Sequence, residues 1–192
     1  ALALSLSSQQ ILAKFSLWSF LKPYVTPIKQ VHISDKGHFG FSRLKAEDLS
    51  VEALGFLVPI RVLVDNFYSH LFDNGNYRLG NHVDVAWSTS VIDLSFTPSK
   101  QNCLTLLSQQ KKQQVFAQAV IAADGQYSNL ARLVNLPRVE KNYQQTALVG
   151  NIGISLPHKN TAYERFIENG TLAILPTCEN YCTYVLAIDT PA

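Results

Sequence analysis

Ala119-Val120-Ile121-Ala122-Ala123-Asp124-Gly125-Gln126-Tyr127-Ser128-Asn129-Leu130-Ala131-Arg132 is the stretch on which the reading of the fold turns. Its opening residues form a short, wholly apolar run, the pattern of a strand buried on both faces. Asp124-Gly125 interrupts the run with a turn pair, in which glycine tolerates backbone angles that other residues avoid. Ser128 is then placed to cap a helix whose apolar side is Leu130, Leu133 and Val134. Strand, tight turn and helix start is the arrangement that sets ligands at the carboxyl end of a sheet, with spare amide donors at the helix N-terminus. A carboxylate at that corner suits a ligand hydroxyl, such as one on a ribityl or ribose chain. The same dipeptide also makes ordinary turns, so on its own it leaves both readings open.

The composition narrows the class. A chain of 192 residues, 47% of them hydrophobic, fits about one domain to one and a half with a sizeable core. Lys and Arg number 16 against 14 Asp and Glu, spread along the chain, and no basic block interleaves with aromatics. Nucleic acid is therefore not an expected partner. Cys103, Cys178 and Cys182 have no metal-ligand spacing, so no metal site is expected. Their odd number argues against a disulfide framework and for a reduced, cytoplasmic chain, although Cys178 and Cys182 could approach across a hairpin. No apolar run is long enough to cross a bilayer. The sequence contains no methionine and starts inside a pattern at Ala1-Leu2-Ala3-Leu4, which leads to the expectation of an interior fragment. Those residues lack the basic leader of a secretion signal.

Outward from the central stretch, the chain alternates helical and extended patterns. Ala1 to Leu4 is expected to enter a helix directly. Ser7 with Gln10 fits a capping box, Ile11, Leu12, Phe15, Trp18 and Phe20-Leu21 supply an apolar side, and Pro23 ends the helix. A membrane-surface role is the alternative, but Lys14 and Lys22 are its only cations, so core packing is favoured. Pro27 to Leu44 reads as a hairpin turning at Asp35-Lys36-Gly37. His32 and His38 within it are candidate ligands or bases, with no carboxylate at an obvious spacing from either. Leu54 to Val58 reads as a strand ended by Pro59. Ile60, Leu63, Val64, Phe67 and Leu71 then fall on one helical stripe. Arg61, in the first turn and off that stripe, is either a solvated cation or a phosphate contact beside the helix N-terminus.

Val83 to Val85, Val91 to Phe96, Leu104 to Leu107 and Val115-Phe116 are expected strands. Pro98-Ser99-Lys100 and the polar run Gln109 to Gln114 are the expected hairpin turns, the second of them a solvated loop. Thr146 to Ser155, Tyr163 to Phe166, Leu172 to Pro176 and Tyr184 to Ile188 complete the pattern, with Asn180 marking a turn. No GxSxG, HExxH, GxGxxG or GxxxxGK[ST] signature occurs, so no catalytic residue can be assigned.

Ile33-Ser34-Asp35-Lys36-Gly37-His38-Phe39-Gly40, with Arg43-Leu44 and Ala53 to Val58, resembles the flavin-dependent hydroxylases of ubiquinone biosynthesis. Val120 to Ser128 resembles the Asp-Gly motif of the class A flavoprotein monooxygenases. Glu164-Arg165-Phe166 with Gly170 to Pro176 resembles their substrate-side strand pair, and Ala1 to Ser5 resembles the segment after their first βαβ unit. The sequence departs from that pattern in three ways. It lacks the N-terminal GxGxxG and the C-terminal Gly-Asp motif, and it carries Ala131 where an Arg is usual, with Arg132 one place later.

The resemblance implies an α/β (α+β) fold, in which part of an FAD-binding Rossmann-like domain interleaves with a mainly antiparallel substrate-domain sheet. Residues 1–24 and 57–138 would form the first part and residues 25–56 and 139–192 the second. It implies FAD reduced by NAD(P)H and an O2-dependent hydroxylation of a prenylated phenol, in which the cofactor carries the hard chemistry. Asp124, Gly125 and Arg61 would contact FAD, while Phe166, Ala173 and Leu175 would form an apolar wall beside the ring or serve as plain core. It further implies partners in a ubiquinone-biosynthesis complex and peripheral contact with the inner membrane. The chain by itself is expected to be inactive and to self-associate through bare sheet edges and apolar faces. A non-catalytic binding or assembly module, or another FAD oxidoreductase of the superfamily, remains the alternative.

Overall fold

A computed structural model describes residues 1–73, 76–77, 84–96 and 101–190, for 70–73 and 76–77 the backbone alone. The Pro98-Ser99-Lys100 turn and Val83 lie outside the described residues. The chain forms two compact units, one of residues Ala1–Asn81 with Asn142–Ala192, the other of His82–Lys141.

In chain order the elements are β1 (Leu2–Ser5), α1 (Leu6–Lys14), α2 (Trp18–Leu21), a one-turn 3-10 helix (Lys22–Tyr24), β2 (Thr26–Ile28), β3 (Gln30–Asp35), β4 (Phe41–Lys45), a second 3-10 turn (Glu47–Leu49), β5 (Gly55–Val58) and α3 (Ile60–Leu71). There follow β6 (Phe72–Asp73), β7 (Asn76–Tyr77), β8 (Thr89–Phe96), β9 (Asn102–Ser108), β10 (Lys111–Ala117), α4 (Asn129–Leu133), β11 (Gln145–Gly153), β12 (Thr161–Ile167), β13 (Gly170–Pro176) and β14 (Tyr181–Asp189).

In the first unit β5 is the centre. All four of its residues are buried, flanked antiparallel by β1 and β2. Leu21, Ile28, Ala53, Phe56, Leu57 and Val58 make the core around it, and Trp18 meets Phe56 edge-on at 4.8 Å between ring centroids. This corrects the reading of the first residues. Leu2 to Ser5 is a strand, not a helix, because the ladder to β5 (Leu2↔Val58, Leu4↔Phe56) satisfies its backbone groups. The helix can begin only where that ladder ends, so Ser5 rather than Ser7 caps α1, accepting from Ser8 N–H at 3.1 Å. The expected single helix is also broken, at Ser16, whose φ of +59° leaves the helical region.

The same unit holds a six-stranded sheet in the order β11-β14-β13-β12-β3-β4. Every pairing is antiparallel except β12 with β3, so the sheet is mainly antiparallel, as expected. The β3–β4 hairpin, β5 and α3 form where the sequence places them.

The second unit is the β8-β9-β10 meander with α4 packed on β8, where Asn129 Nδ2 donates to the Val91 carbonyl at 2.8 Å. Two expectations fail here. Asp84 and Val85 are irregular rather than extended in a ladder. The Gln109 to Gln114 run holds the expected hairpin turn but is not a loop throughout. Gln109 and Gln110 alone make the turn, both with positive φ, and the remaining residues continue as an edge strand whose polar side chains face solvent. Polarity there reports exposure rather than irregular backbone.

Candidate functional site

The candidate residues fall in two separate places in the chain, one in each unit. In the second unit, residues 119–123 run without ladder partners among the described residues, and Ile121 is 88% exposed. The expected strand buried on both faces is therefore corrected. The apolar letters are present, but no described strand pairs beside them to bury them. The turn itself is as expected. Gly125 takes a φ of +85°, and Ser128 caps α4, accepting from Ala131 N–H at 3.0 Å.

Asp124 sits exposed at this corner, and its Oδ2 accepts from Leu130 N–H at 3.1 Å. The Ser128 hydroxyl, and after it the Leu130 amide, hold its carboxyl below the usual aspartate range. The amides expected to be spare at this helix start are thus taken by Ser128 and Asp124. Spacing alone could not reveal this, because the carboxylate reaches six residues along the chain to find its donor.

Arg61 lies in the first turn of α3 in the other unit, 92% exposed, with its Nε 3.5 Å from Asp65 one turn later. It points to solvent, as its place off the apolar stripe predicts.

The first unit brings the remaining candidates together. In the β12–β13 ladder Phe166 faces Thr171 and Glu164 faces Ala173. Cross-strand partners share a face and alternate residues repeat it, so Phe166, Ala173 and Leu175 stand on one side of the sheet. Ala173 and Leu175 are half-buried, and Phe166 is 47% exposed. The wall is thus contiguous and partly open. Two cavities in this unit, of about 620 and 1060 Å3, lie elsewhere. Neither is lined by these three residues, and the larger is lined by Tyr163 and Ile174 from the opposite face of the same strands. His158 borders both, with its Nδ1 accepting from Asn160 N–H at 3.0 Å and its Nε2 buried without a partner among the described residues.

Sequence reasoning missed two polar groups. Glu164 shares the Phe166–Ala173–Leu175 face, half-buried, and burial pushes its carboxyl upward. The signal was a lone acid two residues from Phe166 in an alternating strand. The second concerns His38, which does have a carboxylate partner. Its Nδ1 lies 2.8 Å from Asp35 across the hairpin turn, a pairing read too narrowly from spacing. His32 is stacked on Phe41 at 4.9 Å, and Arg43 Nε donates to its Nδ1 at 3.3 Å. All three cysteines are free thiols.

No family model matches the chain. The chain is 20% identical over 196 residues to the ubiquinone biosynthesis monooxygenase COQ6 of Dictyostelium discoideum, covering 92% of itself and 39% of that protein. It is 23% identical over 196 residues to the ubiquinone hydroxylase UbiM of Neisseria meningitidis, covering 98% of itself and 40% of UbiM. A crystal structure of Klebsiella pneumoniae HpxO complexed with FAD and uric acid superimposes on all of it, 100% of this chain and 48% of that one, with a TM-score of 0.72 at 11% identity. The chain is thus similar over nearly all of its length to ubiquinone-biosynthesis monooxygenases, and it shares the fold of the FAD-bound HpxO structure. It spans about two fifths of the length of the curated relatives it matches.

The donor set can be tested against FAD, the cofactor in the HpxO structure. An exposed carboxylate beside a glycine turn suits one hydroxyl contact of an FAD ribityl or ribose chain. Its Oδ2 already serves Leu130, so that contact would use the remaining lone pairs. The residues fit part of an FAD site rather than a whole one, since this sequence carries no glycine-rich diphosphate loop.

Proposed function

We propose that this chain supplies a portion of an FAD-dependent monooxygenase that hydroxylates a prenylated phenol in ubiquinone biosynthesis, using NAD(P)H and O2. The observation that carries the reading is the contiguous face of Phe166, Ala173 and Leu175 on β12 and β13. It lies within a chain whose homologues are named as ubiquinone-biosynthesis monooxygenases. Bound FAD would supply reducing equivalents and oxygen chemistry. The chain's own residues would position it and keep water from the ring.

In this reading Asp124 and Gly125 contact the cofactor's sugar-alcohol or ribose hydroxyls, and Arg61 gives a charged contact to its phosphates. Phe166, Ala173 and Leu175 pack against the aromatic ring of the substrate. Residues 1–24 and 57–138 serve the cofactor, and residues 25–56 and 139–192 serve the substrate. The second assignment is favoured by β3, β4 and β11 to β14 sharing one sheet. A lipid-tailed substrate favours a peripheral position at the cytoplasmic side of the inner membrane, within a complex of pathway enzymes. No helix among the described residues is long and apolar enough to cross a membrane. By itself the chain holds only a few of the contacts that FAD binding needs, so it is inactive and binds the cofactor weakly or not at all. Exposed Leu148, Val149 and Ile152 on the edge strand β11 favour its self-association.

The test uses the protein encoded by the whole reading frame that contains this chain. It should purify with a flavin spectrum and oxidise NAD(P)H in response to a short-chain prenylated phenol. It should release a product heavier by one oxygen atom taken from O2. A protein that refuses FAD, or that leaves every such phenol unaltered, refutes the reading.

A further inference from the structure

Glu164 is the polar exception on the proposed wall. Its antiparallel partner is Ala173, its parallel partner on β3 is Ile33, and its own-strand neighbours on that face are Ala162 and Phe166. Among the described residues its carboxylate has no hydrogen bond or ion pair, although it is half-buried. From β3 the one charged group on the face is Asp35, another acid, and Asp35 is already paired with His38. β13 and β14 contribute Thr171, Ala173, Leu175, Thr183, Val185 and Ala187 there, none of them charged.

A carboxyl so surrounded is costly to keep ionised without a donor, and burial accordingly pushes it upward. The Thr183 hydroxyl on this face donates to Asn151, and no side chain of the sheet donates to Glu164. The neighbours also limit what ligand could supply one. Aliphatic side chains and Phe166 solvate a cation poorly but accept a flat, neutral ring, and a ring hydroxyl is a donor that arrives with no charge to desolvate.

We propose that Glu164 receives the phenolic hydroxyl of the substrate and so fixes the orientation of the ring on the Phe166–Ala173–Leu175 wall. This rests on the reading of that face as the substrate wall. Glu164 is then the specificity-determining residue for a free hydroxyl against its alkyl ether. The hydroxyl donates to the carboxylate, whereas the ether offers no proton, covers the half-buried carboxylate and leaves it unpartnered. A hydrogen bond to a charged group corresponds to discrimination on the order of 10- to 100-fold.

The experiment measures binding, by calorimetry on the full-length protein, of a short-chain prenylated phenol and of its O-methyl ether. Wild type should prefer the phenol by about tenfold or more. Glu164→Gln should reduce that preference to a few-fold or less, chiefly by weakening the phenol, while Phe166→Ala should weaken both ligands alike. If Glu164→Gln leaves the preference intact while Phe166→Ala weakens both ligands, Glu164 has no such role and the wall stands. If Phe166→Ala changes neither ligand, the wall itself is wrong and the role of Glu164 falls with it. The Glu164 carboxylate has no partner to lose among the described residues, so the Gln variant should fold with an unchanged or raised melting temperature. A variant that does not fold would assign Glu164 to the sheet and overturn the proposal equally.

Discussion

The carboxylate of Asp124 is bonded back to its own helix, Oδ2 accepting from Leu130 N–H at 3.1 Å. The residue that the sequence offers to a cofactor therefore also holds the start of α4. Its carboxyl lies below the ordinary aspartate value, because the Ser128 hydroxyl and then the Leu130 amide favour the charged form. A depressed pKa in the folded state contributes stability that is present above the unfolded-state value. That stability is lost as pH falls through the folded-state value. Amide-exchange protection at Leu130 should hold at neutral pH and decay on acidification below about pH 4, the ordinary aspartate value. Asp124→Ala should lower that protection at neutral pH and remove the acid-dependent part, so that the two proteins converge at low pH. Unchanged protection in the variant would mean that Ser128 alone holds the helix start.

Gly170 opens β13 with a φ of +153°, and a Cβ there would lie 1.9 Å from the Ala187 carbonyl oxygen. The obstacle is backbone in the partner strand, so it cannot swing aside as a side chain could. Gly170→Ala should separate β13 from β14 locally and cost at least about 2 kcal/mol. At Gly125, a φ of +85° is strained for alanine but no atom lies within 4 Å. Gly125→Ala should therefore cost only about 1 kcal/mol. Urea-unfolding midpoints of the two variants give the comparison. Equal shifts would show that the close approach to Ala187 relaxes.

Where the sequence was readable, the signal was local and periodic. Ile60, Leu63, Val64, Phe67 and Leu71 give α3, and the alternation around Asp35-Lys36-Gly37 gives the β3–β4 hairpin, because each pattern is complete within its own element. Leu2 to Ser5 was misread because its conformation is decided by β5, some fifty residues away, and no local propensity carries that pairing. Ala119 to Ala123 was misread for the converse reason. Its letters describe a buried strand, and burial needs neighbours that the described residues do not provide. Gln109 to Gln114 shows that a polar run on an edge strand is indistinguishable by composition from a loop. The wall residues were legible only through resemblance. That they share a face with Glu164 required the register of β12 against β13.

Asn129 was read only as a helix residue, yet its Nδ2 donates to the Val91 carbonyl at 2.8 Å and ties α4 to β8. Its Oδ1 in turn accepts from Arg132 at 2.5 Å. Asn129→Ala leaves a part-buried carbonyl without its donor and should destabilise the second unit by about 1 kcal/mol. Asn129→Asp keeps the acceptor for Arg132 but cannot donate to Val91, so it should be destabilised similarly at neutral pH. If the aspartate variant matches wild type, the contact with Arg132 rather than Val91 is what holds the helix.

Arg61 separates a structural role from a binding one cleanly. It is 92% exposed and its sole ion-pair partner among the described residues is Asp65, 3.5 Å away and itself exposed. Such a pair in open solvent contributes little, so Arg61→Ala should move the unfolding free energy by less than about 0.5 kcal/mol. A phosphate contact made by the same guanidinium is charge-assisted, and losing it should weaken FAD binding by about tenfold. Titrating the full-length apoprotein with FAD, for wild type and Arg61→Ala in parallel, measures the second quantity, and thermal unfolding of the apoproteins measures the first. Equal FAD affinities would return Arg61 to the solvated surface. A large loss of apoprotein stability would mean that its charge supports α3 rather than the cofactor.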